Sequence, residues 1–390
     1  MEKPHANIRR KAAAVTLWPV SRLGGIERYN IYLRDLLKRY GVQLDFYSLD
    51  SLKLNIAEKI FARLIPGLRE FLLLSRAVEV NACRYDFVIT HNLAGGALKS
   101  GKIPVYAVFH GLYASALASV DRDIQHRFGN VWKRQCLKHL EGMTVTRPKE
   151  RICVSSDLRR QLRRFYNVPS SVIDNCIDIS HFKKRPDRRT IRSKLGIAEN
   201  DFVGIYAGRW DPIQKAVDIL VHIIGARKDV KWIVASDASE VPKGIENMVV
   251  LDRVGYEKLP IIYSAADFAL QLSRYEGFSY FALEAFACSL PVISTPFGVA
   301  REVLEKANMH PLLLPRARKT SQFMKIVNER IERLKRDHTY RETAGRRLRE
   351  ITAERYSMSV WEKEMARKLS LGRRYGSGRI LERSASECSA

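Results

Sequence analysis

The sequence predicts an α/β protein built of two doubly wound parallel-sheet domains. Short β-rich runs alternate with helical stretches from end to end, the pattern of strands joined by crossover helices. The alternation stops and restarts once, around the strongly basic stretch ISHFKKRPDRRTIRSKLG at 179–196. A chain of 390 residues also exceeds what one ordinary core organises. We therefore expect two domains with a cleft between them, joined by a linker at 179–196.

In the first half, β-branched and aromatic runs predict strands at AAAVTLWPV (12–20), VQLDFYSL (42–49), DFVIT (86–90), VYAVFH (105–110) and RICVS (151–155). Helical spacing of apolar residues fills 25–39, 56–80, 131–141 and 157–166 between them, with Pro66 dividing the second into two short helices. In the second half the strands are FVGIYAG (202–208), KWIVAS (231–236), MVVLD (248–252), DFALQLS (267–273) and PVIST (291–295). After Pro315 the pattern is mostly helical to about Leu371, and 372–390 is a Ser-, Gly- and Arg-rich tail expected to be disordered. The domains are thus expected at 1–178 and 179–355, followed by a helix at 356–371 and the tail.

Hydrophobic residues at 46% and charged residues at 28% describe an ordinary globular chain. The six cysteines are scattered without metal-ligand or disulfide-framework spacing, so free thiols in a reducing compartment are the simplest reading. The first apolar run is short and ends at Trp18-Pro19 with no cleavage site after it, and no run reaches about 18 apolar residues. A cytoplasmic protein is expected. The charge stands out: 67 Lys plus Arg against 42 Asp plus Glu gives +25. That suits a phosphate-bearing substrate, nucleic acid or an acidic membrane, or else a solvated basic surface.

Three segments could carry chemistry. PVSRLGGIERYN (19–30) puts Gly24 and Gly25 after the first strand, where a backbone without Cβ approaches a ligand and a helix N-terminus favours an anion. A plain tight turn is the alternative, and no G-x-G-x-x-G is present. YAGRWDPIQKAVDIL (206–220) sets Arg209 at a strand end and Lys215 at the next helix, two cations able to neutralise a diphosphate or simply exposed charges. RYEGFSYFALEAFACSLPVISTPFG (274–298) delivers Glu276 and Gly277 into a strand-end loop, then buries Glu284 in an otherwise apolar helix. A buried carboxylate needs a donor, either ribose hydroxyls or a buried Arg or Lys.

The pair Glu276 and Glu284, followed by PVISTPFG, resembles the signature of retaining glycosyltransferases of the GT-B fold, family 4. YAGRWDPIQKAVDIL is similar to that family's G-R-L-x-x-x-K-G segment, GGIERY to its N-terminal glycine loop and VFHG (108–111) to its H-G element. VSSDLRRQLRRFYNV with NCID resembles the end of its first domain, and ERYSMSVWEKEMARKL (354–369) the helix that crosses back to that domain. The chain departs at Cys176, Ala216 and Ser289, where the family usually has Gly.

The resemblance implies two Rossmann-like domains, the first for the acceptor and the second for a nucleotide-sugar donor. It implies that Arg209 and Lys215 hold the diphosphate, Glu284 the ribose, and Glu276 the donor sugar near Gly277 and Phe278. Gly24 and Gly25 would approach the diphosphate from the other domain, and His110 would face the sugar, whereas His91 reads as packing. No metal and no cofactor is implied, because Arg209 and Lys215 replace the cation. The reaction expected is retaining transfer to a glycan or lipid-linked acceptor in cell-surface polysaccharide or glycolipid assembly. The segment AEKIFARLIPGLREFLLLSRAVEV (57–80) interleaves basic and apolar residues, which suits either an anionic membrane interface or packing on the sheet. The alternatives are a catalytically silent GT-B partner subunit and a basic nucleic-acid-binding protein. No nucleic-acid-binding motif is present and the basic residues are dispersed, so no specific nucleic acid is expected.

Overall fold

The computed structural model describes residues 10–21, 24–52, 55–98, 103–120 and 130–372. Two compact units divide them. The first holds the described residues through Ser115, then Asn130 to Asp174, and rejoins at Glu362; the second holds Ala116 to Val120 and Asn175–Trp361. Of the expected tail, residues 373–390 lie outside the described residues.

The first unit is built on β1 (Arg10–Val15), β2 (Val42–Tyr47), β3 (Phe87–His91), β4 (Val105–Phe109), β5 (Glu150–Cys153) and β6 (Ser171–Val172). All pair in parallel, in the order β2-β1-β3-β4-β5-β6. Its helices are α1 (Gly25–Arg39), α2 (Ile56–Leu64), α3 (Leu74–Glu79), α4 (Tyr113–Ser119), which runs into the second unit, α5 (Val131–Thr146) and α6 (Ser156–Tyr166). Central β1 carries Ala12, Ala13, Ala14 and Val15, all fully buried, because helices cover both faces of a parallel sheet. α1 lays Tyr29, Leu33, Leu36 and Leu37 into that core. Chain order reverses between β1 and β3, which opens a crevice at their carboxyl ends.

The expected helical stretch 56–80 is three pieces: α2, a π-turn at Arg69–Leu73 and α3. Asn55 and Glu58 start α2 with reciprocal side-chain-to-amide bonds of 2.8 and 3.0 Å. The large apolar side chains of α2 face outward: Ile56 is 77% exposed, Ile60 53%, Phe61 56% and Leu64 60%. Trp132, at the start of α5 and 59% exposed, donates its indole N–H to the Leu64 carbonyl at 2.9 Å. The apolar stripe of α2 therefore does not pack on the sheet, whereas Phe71, Leu74 and Val78 do go inward.

The second unit holds β7 (Val203–Ala207), β8 (Lys231–Ser236), β9 (Met248–Asp252), β10 (Phe268–Gln271) and β11 (Val292–Ser294), parallel in the order β11-β10-β7-β8-β9. Its helices are α7 (Arg188–Lys194), α8 (Val217–Ala226), α9 (Leu259–Ala265), α10 (Tyr280–Ala287), α11 (Val299–Lys306), α12 (Ser321–Arg336) and α13 (His338–Tyr356). α14 (Met358–Lys368) follows and carries the chain back to the first unit. There Tyr29 donates its hydroxyl to Met365 Sδ at 3.5 Å, Arg39 pairs with Glu362, and Lys368 pairs with Glu150 at 2.5 Å. Within the second unit, order reverses between β7 and β10.

Two expectations are corrected. Residues 179–196 lie in the second unit, as the expected bounds have it, but they are not a linker, because they contain α7. Arg192 is 2% exposed there, bonded to Asp267 at 2.8 Å and to the carbonyls of Ala265, Glu199 and Asp201 at 2.9, 2.6 and 2.9 Å. A guanidinium can be buried when its donors all find acceptors, and basic composition does not reveal that. Nor are all thiols free: Cys83 is disulfide-bonded, while Cys136, Cys153, Cys176 and Cys288 are not.

Candidate active site

The loops that follow β7 and β10 meet at the second unit's switch point and bring Arg209, Gln214, Lys215 and Glu276 together. Gly208 leaves β7 at φ +151, a conformation that suits glycine. Glu276 is 6% exposed and its Oε1 takes the Lys215 ammonium at 2.5 Å and the Ser273 hydroxyl at 2.8 Å. Gln214 bridges, with Nε2 3.3 Å from Glu276 Oε2 while its Oε1 accepts from Arg209 Nη2 at 2.7 Å. Tyr206, buried on β7, donates to the Arg209 carbonyl at 2.5 Å. Burial and then the nearby Glu276 push its phenol far above the ordinary range, so it stays a donor. Arg209 leaves its side chain 74% exposed, with Asp211 as a distant counter-charge at 4.0 Å. The set offers one open guanidinium and one ammonium already shared with a carboxylate, a suitable cradle for a polyanion.

After Glu276 the chain turns sharply. Phe278 is buried, and Ser279 takes φ +79 while its hydroxyl donates to Gln271 and caps α10. Val299 at the start of α11 donates to the Phe278 carbonyl at 2.7 Å. Gly298, at φ +62, makes that approach possible, since any Cβ there would collide with the same carbonyl. Glu284 lies in the middle of α10, 4% exposed, and accepts from the Tyr263 hydroxyl of α9 at 2.8 Å. Tyr263 is thus a donor to the buried carboxylate, a partner distinct from the ribose, Arg or Lys considered from the sequence.

In the first unit, Gly24 is extended at φ −175, so no left-handed turn demands glycine there. A side chain at Gly24 would strike the Glu27 carboxylate, which lies against the start of α1. The helix N-terminus expected to receive an anion already faces an acidic side chain, a favourable match. Gly25 is the first helical residue. His110, just past β4, pairs its Nε2 with Nδ1 of His91 at 2.9 Å, and both rings pack edge-on against Tyr29 at 5.1 and 5.5 Å. Burial pushes His91 down to about 3, and burial with its neighbour drives His110 well below the ordinary value, so the pair is neutral at physiological pH. His91 is therefore more than packing, because it is the hydrogen-bond partner of His110. Glu141 of α5 fixes the loop beyond them, accepting from the amide of Tyr113, from that of Ala114 at 2.9 Å, and from the Tyr166 hydroxyl at 2.5 Å.

Sequence reasoning missed Tyr263, Gln214, Ser273 and the histidine pair. Ser273 and Gln214 adjoin residues already singled out, so a search for polar neighbours would have found them. Tyr263 lies 21 positions from Glu284, with no local signal.

Two parallel doubly wound units, one with cations and carboxylates at its switch point, define the class by fold: GT-B. The family profile for Glycosyltransferase Family 4 matches residues 23–181, and that for Glycosyl transferases group 1 matches 201–332. Together they span most of the chain, which belongs to family 4 of the glycosyltransferases. Among curated proteins it is 28% identical over 186 residues to the D-inositol 3-phosphate glycosyltransferase of Geodermatophilus obscurus, covering 41% of each chain. The chain thus spans about two fifths of the length of the first curated relatives it matches. Sucrose-phosphate synthase from Thermosynechococcus elongatus superposes with a TM-score of 0.75 at 17% identity, over 93% of this chain and 98% of that one. Anabaena HepE, solved with UDP and glucose, gives 0.68 at 19% identity over 93% and 100%.

Proposed function

We propose that the protein transfers a sugar, with retention of anomeric configuration and without a metal, from a nucleotide-diphosphate sugar to a glycan or lipid-linked acceptor. The observation that carries this reading is the Arg209–Gln214–Glu276–Lys215 constellation at the β7/β10 switch point. Two cations there would neutralise the diphosphate as it leaves, the task a divalent ion performs elsewhere. In this reading Glu284 receives ribose hydroxyls beside the Tyr263 hydroxyl, and Glu276 with the Gly277 and Phe278 amides contacts the donor sugar. Gly24, Gly25 and His110 belong to the first unit's part of the same task, and no cofactor is required. A solved neighbour holding UDP and glucose supports a nucleotide-sugar donor.

The acceptor side rests on α2. Its outward Ile56, Ile60, Phe61 and Leu64, with exposed Lys59, Arg63 and Lys133, suit an anionic membrane surface, hence a peripheral protein and a lipid-linked acceptor in cell-surface assembly. No described helix is long and apolar enough to cross a membrane. The test is nucleotide release from a panel of UDP-, GDP-, ADP- and TDP-sugars, with and without EDTA, and the anomeric configuration of the product by NMR. Activity abolished by EDTA and restored by Mn²⁺ or Mg²⁺, or an inverted product, overturns this reading.

A further inference from the structure

None of the roles above uses Arg274, although it is 4% exposed and only two positions from Glu276. Neighbouring residues of an extended chain point opposite ways. Ser273 turns to Glu276, whereas Arg274 turns to the loop that carries Lys215. There its guanidinium takes both oxygens of Asp218, in the first turn of α8, at 3.0 and 2.9 Å, and the carbonyl of Pro212. Its amide donates to the Gln214 carbonyl at 2.8 Å. Pro212 and Gln214 precede Lys215 and Asp218 follows it, so the arginine brackets the lysine from both sides. Between them Ala216 is held at φ +53, a left-handed conformation that persists only where the surroundings impose it.

We propose that Arg274 is a positioning residue: it fixes the loop 212–218 so that the Lys215 ammonium meets the Glu276 carboxylate and the donor's second phosphate. The inference rests on Lys215 as a diphosphate ligand. A bidentate, buried guanidinium suits this role because its planar fork fixes direction as well as distance.

The test compares two affinities by calorimetry: the tightest-binding of UDP, GDP, ADP and TDP, and the monophosphate of the same nucleoside. Arg274→Met keeps the length of the side chain and removes its donors. We expect the diphosphate-to-monophosphate affinity ratio to fall about tenfold or more, with monophosphate binding changed less than about twofold. Arg274→Lys should fall nearly as far, because charge without the fork does not hold Asp218. An equal loss of both nucleotides, or an unchanged ratio, overturns the proposal. Lys215→Met separates the two readings. If it leaves the ratio intact, the diphosphate role itself fails; if it lowers the ratio and Arg274→Met does not, only the positioning role fails. Should Arg274→Met not fold, Asp218→Asn, at a side chain 35% exposed, carries the same comparison.

Discussion

Lys215 and Glu276 form an ion pair at 2.5 Å across the loops that follow β7 and β10, so the proposed phosphate ligand and the proposed sugar ligand hold each other. A diphosphate must therefore share the ammonium with the carboxylate. Glu276→Gln should leave nucleoside-diphosphate affinity unchanged or tighter while turnover drops by about a hundredfold or more. Calorimetry and nucleotide-release assays on one preparation check both halves. A parallel loss of nucleotide affinity would count against this division of roles.

Glu284→Gln separates binding from folding. The Tyr263 hydroxyl can donate to an amide oxygen as it does to the carboxylate, so the melting temperature of the ligand-free protein should change little. A charged hydrogen bond contributes roughly 1.5–3 kcal/mol, so nucleotide affinity should fall by about tenfold to a hundredfold. A large drop in melting temperature with unchanged affinity makes Glu284 structural.

Two departures from the family pattern fall at left-handed backbone positions: Ala216 at φ +53 and Ser289 at φ +56. A side chain there costs about 1–2 kcal/mol, and the extra freedom of glycine in the unfolded chain offsets about half of that. Ala216→Gly and Ser289→Gly should each raise stability by about 0.5–1 kcal/mol in denaturant melts. Cys176 is not at positive φ, so Cys176→Gly should bring no such gain.

The paired histidines make stability acid-sensitive. His91 in the fold is pulled down to about 3 from 6.5, and His110 also lies well below it. The unfolded chain takes up protons that the folded one refuses, so stability is full above about pH 6.5 and is lost as pH falls toward 3. Each such group contributes a slope of up to about 1.4 kcal/mol per pH unit in that window. Melting temperature measured from pH 7 to pH 5 should fall, and His91→Asn should flatten the curve.

The outward face of α2 predicts selective vesicle binding. The protein should sediment with anionic but not zwitterionic vesicles, less so at high salt, because charge attraction is screened over about 10 Å at 0.1 M. Phe61→Ser with Leu64→Ser should abolish sedimentation and leave turnover on a water-soluble acceptor intact. Equal binding to both vesicle types, or to neither, removes the membrane from the proposed function.

Much of this was legible from residues alone, because doubly wound sheets announce themselves through alternating periodicity. The ten strands expected are all found; Arg209, Lys215 and Glu276 lie together at the second unit's switch point, whereas Gly24, Gly25 and His110 lie in the first unit. The two-residue β6 is too short to leave a pattern. The basic stretch 179–196 was misread because composition reports charge, whereas burial of Arg192 depends on an aspartate 75 positions away. For the same reason the sequence flagged Glu284 but not Tyr263, and Glu276 but not Arg274. It shows which groups need partners; only the fold supplies them.

The return of α14 to the first unit bears on how the molecule is made. The strands of that unit are complete by Val172, yet Tyr29, Arg39 and Glu150 take their partners from Met365, Glu362 and Lys368. During synthesis the strands made first therefore wait, with part of their unit's surface uncovered, until residues 362–368 have left the ribosome. At ordinary elongation rates of about 5–20 residues per second that interval is on the order of ten seconds or more, long enough for a holding chaperone to bind. Cutting the gene between the two units should accordingly yield a first half that is poorly soluble alone and is rescued by supplying α14 as a separate peptide.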